Sequence, residues 1–184
     1  VSEYPVLVDI ELASSCNLSC PMCYTTTDHF KETVARKIMD WDIYTRVVDE
    51  IAGKVPALRL SWRGESTLHP KFVDAVRYAK ERGLREVSFL TNGYKLDLEY
   101  FKKLHEAGTD WVTVSFDGVE EEYNRIRAPL VYDEMIERLR DGLDDAGLLE
   151  IVTLTGFPVL SALEIPALVD ELRLGLIIAI GLAV

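Results

Sequence analysis

The stretch Leu12-Ala13-Ser14-Ser15-Cys16-Asn17-Leu18-Ser19-Cys20-Pro21-Met22-Cys23 follows a run at 4–12 that alternates and is rich in Val, Leu and Ile. The run reads as a β-strand, so a loop holding all three cysteines of the chain opens at its carboxyl end. An odd number of cysteines in one short loop is no disulfide framework. Three thiolates this close read as metal ligands. Zinc prefers four ligands in paired knuckles; His29 offers a fourth, but C-x3-C-x2-C is not the usual zinc spacing. Thiolates are the standard ligands of iron–sulfur clusters, the better reading here. Three cysteines on a four-iron cubane leave one iron open, which is useful where a small molecule must bind the metal.

Outward from the loop, helical and extended periods alternate. Residues 41–52 place Ile43, Tyr44, Val47, Val48 and Ile51 on one helical face, with Asp40 as N-cap and Gly53 as stop. Strands are expected at 57–62, 86–90, 111–116, 150–155 and 176–180. Helices are expected at 70–83 with Pro70 as the first helical residue, 97–107 capped by Asp97, 132–143 and 163–172. Strands alternating with helices of this length imply βαβ units and a parallel sheet, α/β in class, within one domain spanning 1–184. Composition shifts from Leu148 onward: lysine disappears and Arg173 is the only basic residue. The apolar last strand leads to the expectation that a further C-terminal segment covers it, with a packed partner as the alternative.

The chain has 184 residues, 48% of them hydrophobic and 28% charged, with a formal net charge of −11. This composition excludes disorder and argues against a broad nucleic-acid surface, whose affinity comes from neutralising phosphates. The most apolar stretch, 174–184, is far shorter than the roughly 18 residues a bilayer-spanning helix needs. The first ten residues carry two acids and no basic region, unlike a signal peptide. Cytoplasmic location without membrane association is the expectation.

In parallel α/β folds the chemistry collects at the carboxyl ends of the strands. There the sequence places the Cys loop, then Arg63-Gly64-Glu65, Thr91-Asn92-Gly93, and Ser115-Phe116-Asp117-Gly118, with Gly156 after the fifth strand. On these residues the chain resembles the radical S-adenosylmethionine (SAM) enzymes. Cys16, Cys20, Met22 and Cys23 match the superfamily's C-x3-C-x-Φ-C signature. Gly64 and Glu65 match its Gly-Gly-Glu motif, with Arg63 at the first glycine. The later strand ends resemble its Thr-Asn-Gly and Ser-x-Asp-Gly strings.

The resemblance implies a partial, open (β/α)6 barrel of parallel strands, with Cys16, Cys20 and Cys23 holding a [4Fe–4S] cluster. SAM would chelate the fourth iron beside Met22, Gly64, Glu65, Asn92, Ser115 and Asp117, with Glu65 on its ammonium. One electron, from a donor such as flavodoxin or ferredoxin, would cleave SAM to a 5′-deoxyadenosyl radical that abstracts hydrogen from a peptide or small-molecule substrate. The core is most similar to the SPASM/twitch group but lacks auxiliary-cluster cysteines. Two alternatives stay open: a zinc-stabilised Cys3His binding domain using His29, and a catalytically incomplete core. Asn92-Gly93 and Asp117-Gly118 are also ordinary turn pairs. His69 and His105 read as surface or capping residues, and Arg127 as a helix-surface arginine in preference to a contact for a substrate carboxylate.

Overall fold

The computed structural model describes residues 3–146 and 152–155. Its strands are β1 (Leu7–Asp9), β2 (Ala57–Arg59), β3 (Glu86–Thr91), β4 (Trp111–Ser115) and β5 (Val152–Thr155). Its helices are α1 (Asp28–Thr33), α2 (Trp41–Ile51), α3 (Phe72–Glu81), α4 (Leu98–Glu106), α5 (Glu120–Ile126) and α6 (Tyr132–Ala146). The five strands form one sheet in sequence order, every neighbouring pair parallel. Each crossover runs through one or two helices, as the alternating periods predict. The expected helix at 163–172, the sixth strand and Gly156 lie outside the described residues.

One face of the sheet is apolar. Leu58, Leu60, Val87, Phe89, Val112 and Val114 are almost fully buried there. Phe72 of α3 meets Phe89 edge-on with ring centroids 4.8 Å apart. Tyr44 of α2 is fully buried, and its hydroxyl donates to the Ala75 carbonyl at 2.6 Å, joining α2 to α3. A buried phenol needs such a partner. The opposite face is mixed: Asp9, Arg59, Ser88 and Trp111 stand in one row of the register. Asp9 accepts from Arg59 Nε and Nη2 at 2.6 and 2.9 Å. Arg59, Ser61, Ser88, Leu90, Trp111 and Thr113 help to line a cavity of about 580 Å³ on this side.

The predicted caps are present. Asp40 accepts from Asp42 N and Ile43 N, and Asp97 accepts from Tyr100 N at 2.8 Å. The helix expected from Pro70 begins two residues later. His69 accepts from Lys71 N on its ring at 3.1 Å and from Phe72 N on its carbonyl at 3.1 Å, a turn that delays the first helical residue. His69 does cap, but it is buried rather than superficial, with Nε2 3.0 Å from the Met39 carbonyl. Ile43 is 45% exposed, because the buried line of α2 runs through Tyr44 and Val48.

Two helices were not visible in the periodicity. α1 and α5 have only six and seven residues, and they bury Phe30 alone and Tyr123 with Ile126. Both sit in strand-end loops, where they shape the site.

Candidate functional site

The Cys loop leaves β1 and is closed at its base by the segment that returns toward α2. Ala13 forms an antiparallel bridge with Ile38, and Ser14 Oγ donates to the Ala35 carbonyl while accepting from Lys37 N. Within the loop, Cys23 N donates to the Cys20 carbonyl and Thr26 N to the Cys23 carbonyl, so Cys20 and Cys23 sit on consecutive tight turns. All three thiols are free; Cys20 is buried, and Cys16 and Cys23 are half-buried.

Each sulfur already meets a hydrogen-bonding group. Leu18 N at 3.4 Å and Asn92 Nδ2 at 3.7 Å donate to Cys16 Sγ. Arg127 Nη1 donates to Cys20 Sγ at 3.6 Å, and Thr25 Oγ1 lies 3.0 Å from Cys23 Sγ. Burial pushes the Cys16 thiol above its ordinary range, and nearby Glu65 adds to that. Burial likewise raises Cys20, against the pull of the Arg127 charge. These thiols therefore resist ionising on their own, and a bound metal would supply the compensation.

Glu65 is the hub of the neighbouring strand ends. Its carboxylate, 3% exposed, accepts from Thr67 Oγ1 at 2.5 Å, Thr67 N at 3.3 Å, Thr91 Oγ1 at 2.8 Å and Asn92 N at 2.7 Å. Its backbone N–H donates to the Ser15 carbonyl at 2.8 Å, tying the loop after β2 to the Cys loop. Asn92 then reaches across, with Nδ2 donating to Asn17 Oδ1 at 2.9 Å as well as to Cys16. Arg63, at the place of a glycine, needs no left-handed backbone. Its side chain turns outward to Glu11 at 2.6 and 3.0 Å and lies over the Phe30 ring.

A second chain of contacts comes from β4. Asp117 is buried and ion-paired with Arg127, whose guanidinium also meets Cys20. Arg127 is thus not a helix-surface arginine. It caps α5 four residues after the buried Tyr123, so that spacing held the signal of an inward side chain. Ser115 is half-exposed at the end of β4, in register with Thr155. Met22 is 44% exposed beside the cysteines.

The donor set fits an iron–sulfur cubane. A cubane spreads its thiolates over different irons, whereas one ion needs its ligands converging on a point. Among the described residues no three His, Cys, Asp or Glu side chains converge in that way, and His29 is exposed on α1. The zinc reading gains no support. Arg127 Nε is moreover a buried donor without a partner, suited to an anionic group beside the loop.

Comparison with known proteins agrees with this geometry. The family model described as the radical SAM superfamily matches residues 10–172. A tungsten-containing aldehyde ferredoxin oxidoreductase cofactor-modifying protein of Pyrococcus furiosus is 38% identical over 111 residues, covering 59% of this chain and 30% of the relative. An Fe-coproporphyrin III synthase of Methanosarcina barkeri is 32% identical over 123 residues, covering 67% of this chain and 30% of the relative. The chain thus spans about a third of the length of such relatives. Among solved structures, native anSMEcpe with bound AdoMet superposes with a TM-score of 0.71 at 19% identity, over 92% of this chain and 50% of that one. Streptococcus suis SuiB bound to precursor peptide SuiA gives 0.69 at 12%, over 93% and 38%. The expected class, α/β with parallel strands in a partial barrel, agrees with these neighbours, while the sixth unit of the expected (β/α)6 barrel lies outside the described residues. A family match running from the end of β1 through nearly all of the chain settles the membership: this is a protein of the radical SAM superfamily.

Proposed function

We propose that this chain is the catalytic core of a radical SAM enzyme, with Cys16, Cys20 and Cys23 holding a [4Fe–4S] cluster and SAM lying across the ends of β2 to β4. The observation that carries this is the set of three free thiols, two of them met by donors from distant segments, Asn92 on Cys16 and Arg127 on Cys20, beside a buried carboxylate. Bound there, the two cofactors supply one-electron cleavage of SAM and a carbon-centred radical that abstracts hydrogen from the substrate. The chain's own residues hold and orient. Glu65 offers negative charge for the SAM ammonium while locking Thr67, Thr91 and Asn92 in place. Asn92 joins that carboxylate to the Cys16 side of the loop, and Asp117 and Arg127 brace the Cys20 side. Met22, Gly64 and Ser115 complete the proposed SAM surroundings. The cavity over the opposite sheet face, of mixed polar and apolar lining, has room for part of a peptide or a small molecule.

A one-electron donor of the flavodoxin or ferredoxin type is the proposed partner and the cytoplasm the proposed location. No helix among the described residues is long and apolar enough to cross a membrane.

Low-temperature EPR of the anaerobically reconstituted, dithionite-reduced protein tests the reading. The expected result is a reduced [4Fe–4S] signal that changes when SAM is added. A signal indifferent to SAM, or stoichiometric zinc without iron, overturns it. In the cluster-loaded protein, Glu65→Ala is expected to weaken SAM binding by about 1.5–3 kcal/mol, the scale of a charge-assisted hydrogen bond. It should also lower the melting temperature, since Thr91 Oγ1 and Asn92 N lose their acceptor. Unchanged SAM affinity by equilibrium dialysis removes Glu65 from the site.

A further inference from the structure

We propose that Arg127, with Asp117 as its counter-ion, sets the reduction potential of the cluster through its contact with Cys20. This rests on the function proposed above.

The three sulfurs are not treated alike. Cys16 and Cys23 meet neutral groups, the Asn92 amide, the Leu18 N–H and the Thr25 hydroxyl. Cys20 meets a full positive charge at 3.6 Å. That charge is well sheltered, the side chains of Arg127 and Asp117 being 13% and 6% exposed. It is also held in place. Arg127 N donates to the Tyr123 carbonyl at 2.7 Å, Leu130 N donates to the Arg127 carbonyl at 3.0 Å, and Asp117 fixes the far end of the guanidinium. Nothing in the Cys loop itself supplies this cation. It arrives from α5, more than a hundred residues along the chain.

The step it acts on is simple. The oxidised cluster takes one electron from the donor, no bond in the protein breaks, and the site becomes one unit more negative. A cation beside a ligand sulfur stabilises the reduced form and raises the potential, an effect that burial enlarges. Asp117 opposes it, so the pair acts as an oriented dipole rather than a bare charge. Removing the cation and removing the anion must therefore move the potential in opposite directions, which a merely structural role for the pair would not produce.

The test is a mediated redox titration of the reconstituted protein without SAM, followed by EPR, for wild type, Arg127→Met, Arg127→Lys and Asp117→Asn. Iron and sulfide are measured first. Arg127→Met is expected to lower the reduced-to-oxidised ratio at a fixed potential tenfold or more, a downward shift of at least about 59 mV for one electron. Arg127→Lys should fall between it and wild type, and Asp117→Asn should shift upward. If Arg127→Met fails to take up a cluster, the signs of the other two variants decide. A wild-type potential in fully loaded Arg127→Met, or shifts of one sign for Arg127→Lys and Asp117→Asn, overturns the proposal while leaving the cluster assignment intact. A wild-type protein that takes up no cluster overturns the proposed function and this inference with it.

Discussion

Replacing Cys23 by alanine is expected to leave a folded protein that no longer holds a cluster. On the proposed assignment the cluster has three protein ligands, and the sequence holds no other cysteine to substitute for the lost one. Iron and sulfide after anaerobic reconstitution should drop at least tenfold, with loss of the brown chromophore. The fold should hardly notice. The backbone bonds of residue 23 to the Cys20 carbonyl and from Thr26 N do not involve its side chain, which meets the Thr25 hydroxyl and packs, half-buried, at the edge of the core. A change of this kind at a half-buried position costs about 1 kcal/mol in the metal-free protein. Full iron and sulfide in Cys23→Ala would sink the ligand assignment, and a collapse of the metal-free fold would show that Cys23 is structural instead.

That prediction was readable from the sequence, because ligand spacing is local. So were the five described strands and their parallel pairing: each apolar run between a cap such as Asp40 or Asp97 and a glycine stop repeats the same unit, and parallel pairing follows from the crossovers. What was hidden is what forms only when distant segments meet. Glu65 shows its charge in the sequence, but Thr91 and Asn92 reach its carboxylate from 26 and 27 residues away. The spacing from Tyr123 puts Arg127 on the inward side of α5, but only the fold reveals Cys20 and Asp117 beside it. Arg63 at a glycine position poses no conflict. Its backbone does not require positive φ, and Glu11 from the end of β1 receives its side chain.

The glycine that cannot be replaced is the next one. A Cβ at Gly64 would stand 2.2 Å from the Ala13 carbonyl oxygen, 2.5 Å from that of Ser15 and 2.7 Å from the Ser14 carbonyl carbon. All three are backbone atoms at the base of the Cys loop, so no side chain can swing aside. Relief requires moving the loop after β2 away from the Cys loop, which breaks the bond from Glu65 N to the Ser15 carbonyl or strains the Ser14 bonds to Ala35 and Lys37. Gly64→Ala is therefore expected to cost about 3 kcal/mol or more, the upper end of overpacking, read as a lower denaturant midpoint of the metal-free protein. Gly53→Ala makes the matched comparison. Nothing lies within 4 Å of its Cβ position, but its φ is +73°, so only the left-handed backbone penalises it, by about 1–2 kcal/mol. Cluster content should separate the two further. Gly53→Ala disturbs the end of α2 and should load fully, whereas Gly64→Ala displaces the base of the loop that presents Cys16 and should load poorly even where it remains folded. Equal midpoints and equal loading would mean that the two loops do not meet backbone to backbone and that the Glu65 N–H does not anchor to the Ser15 carbonyl, leaving Asn92 as the link between Glu65 and Cys16.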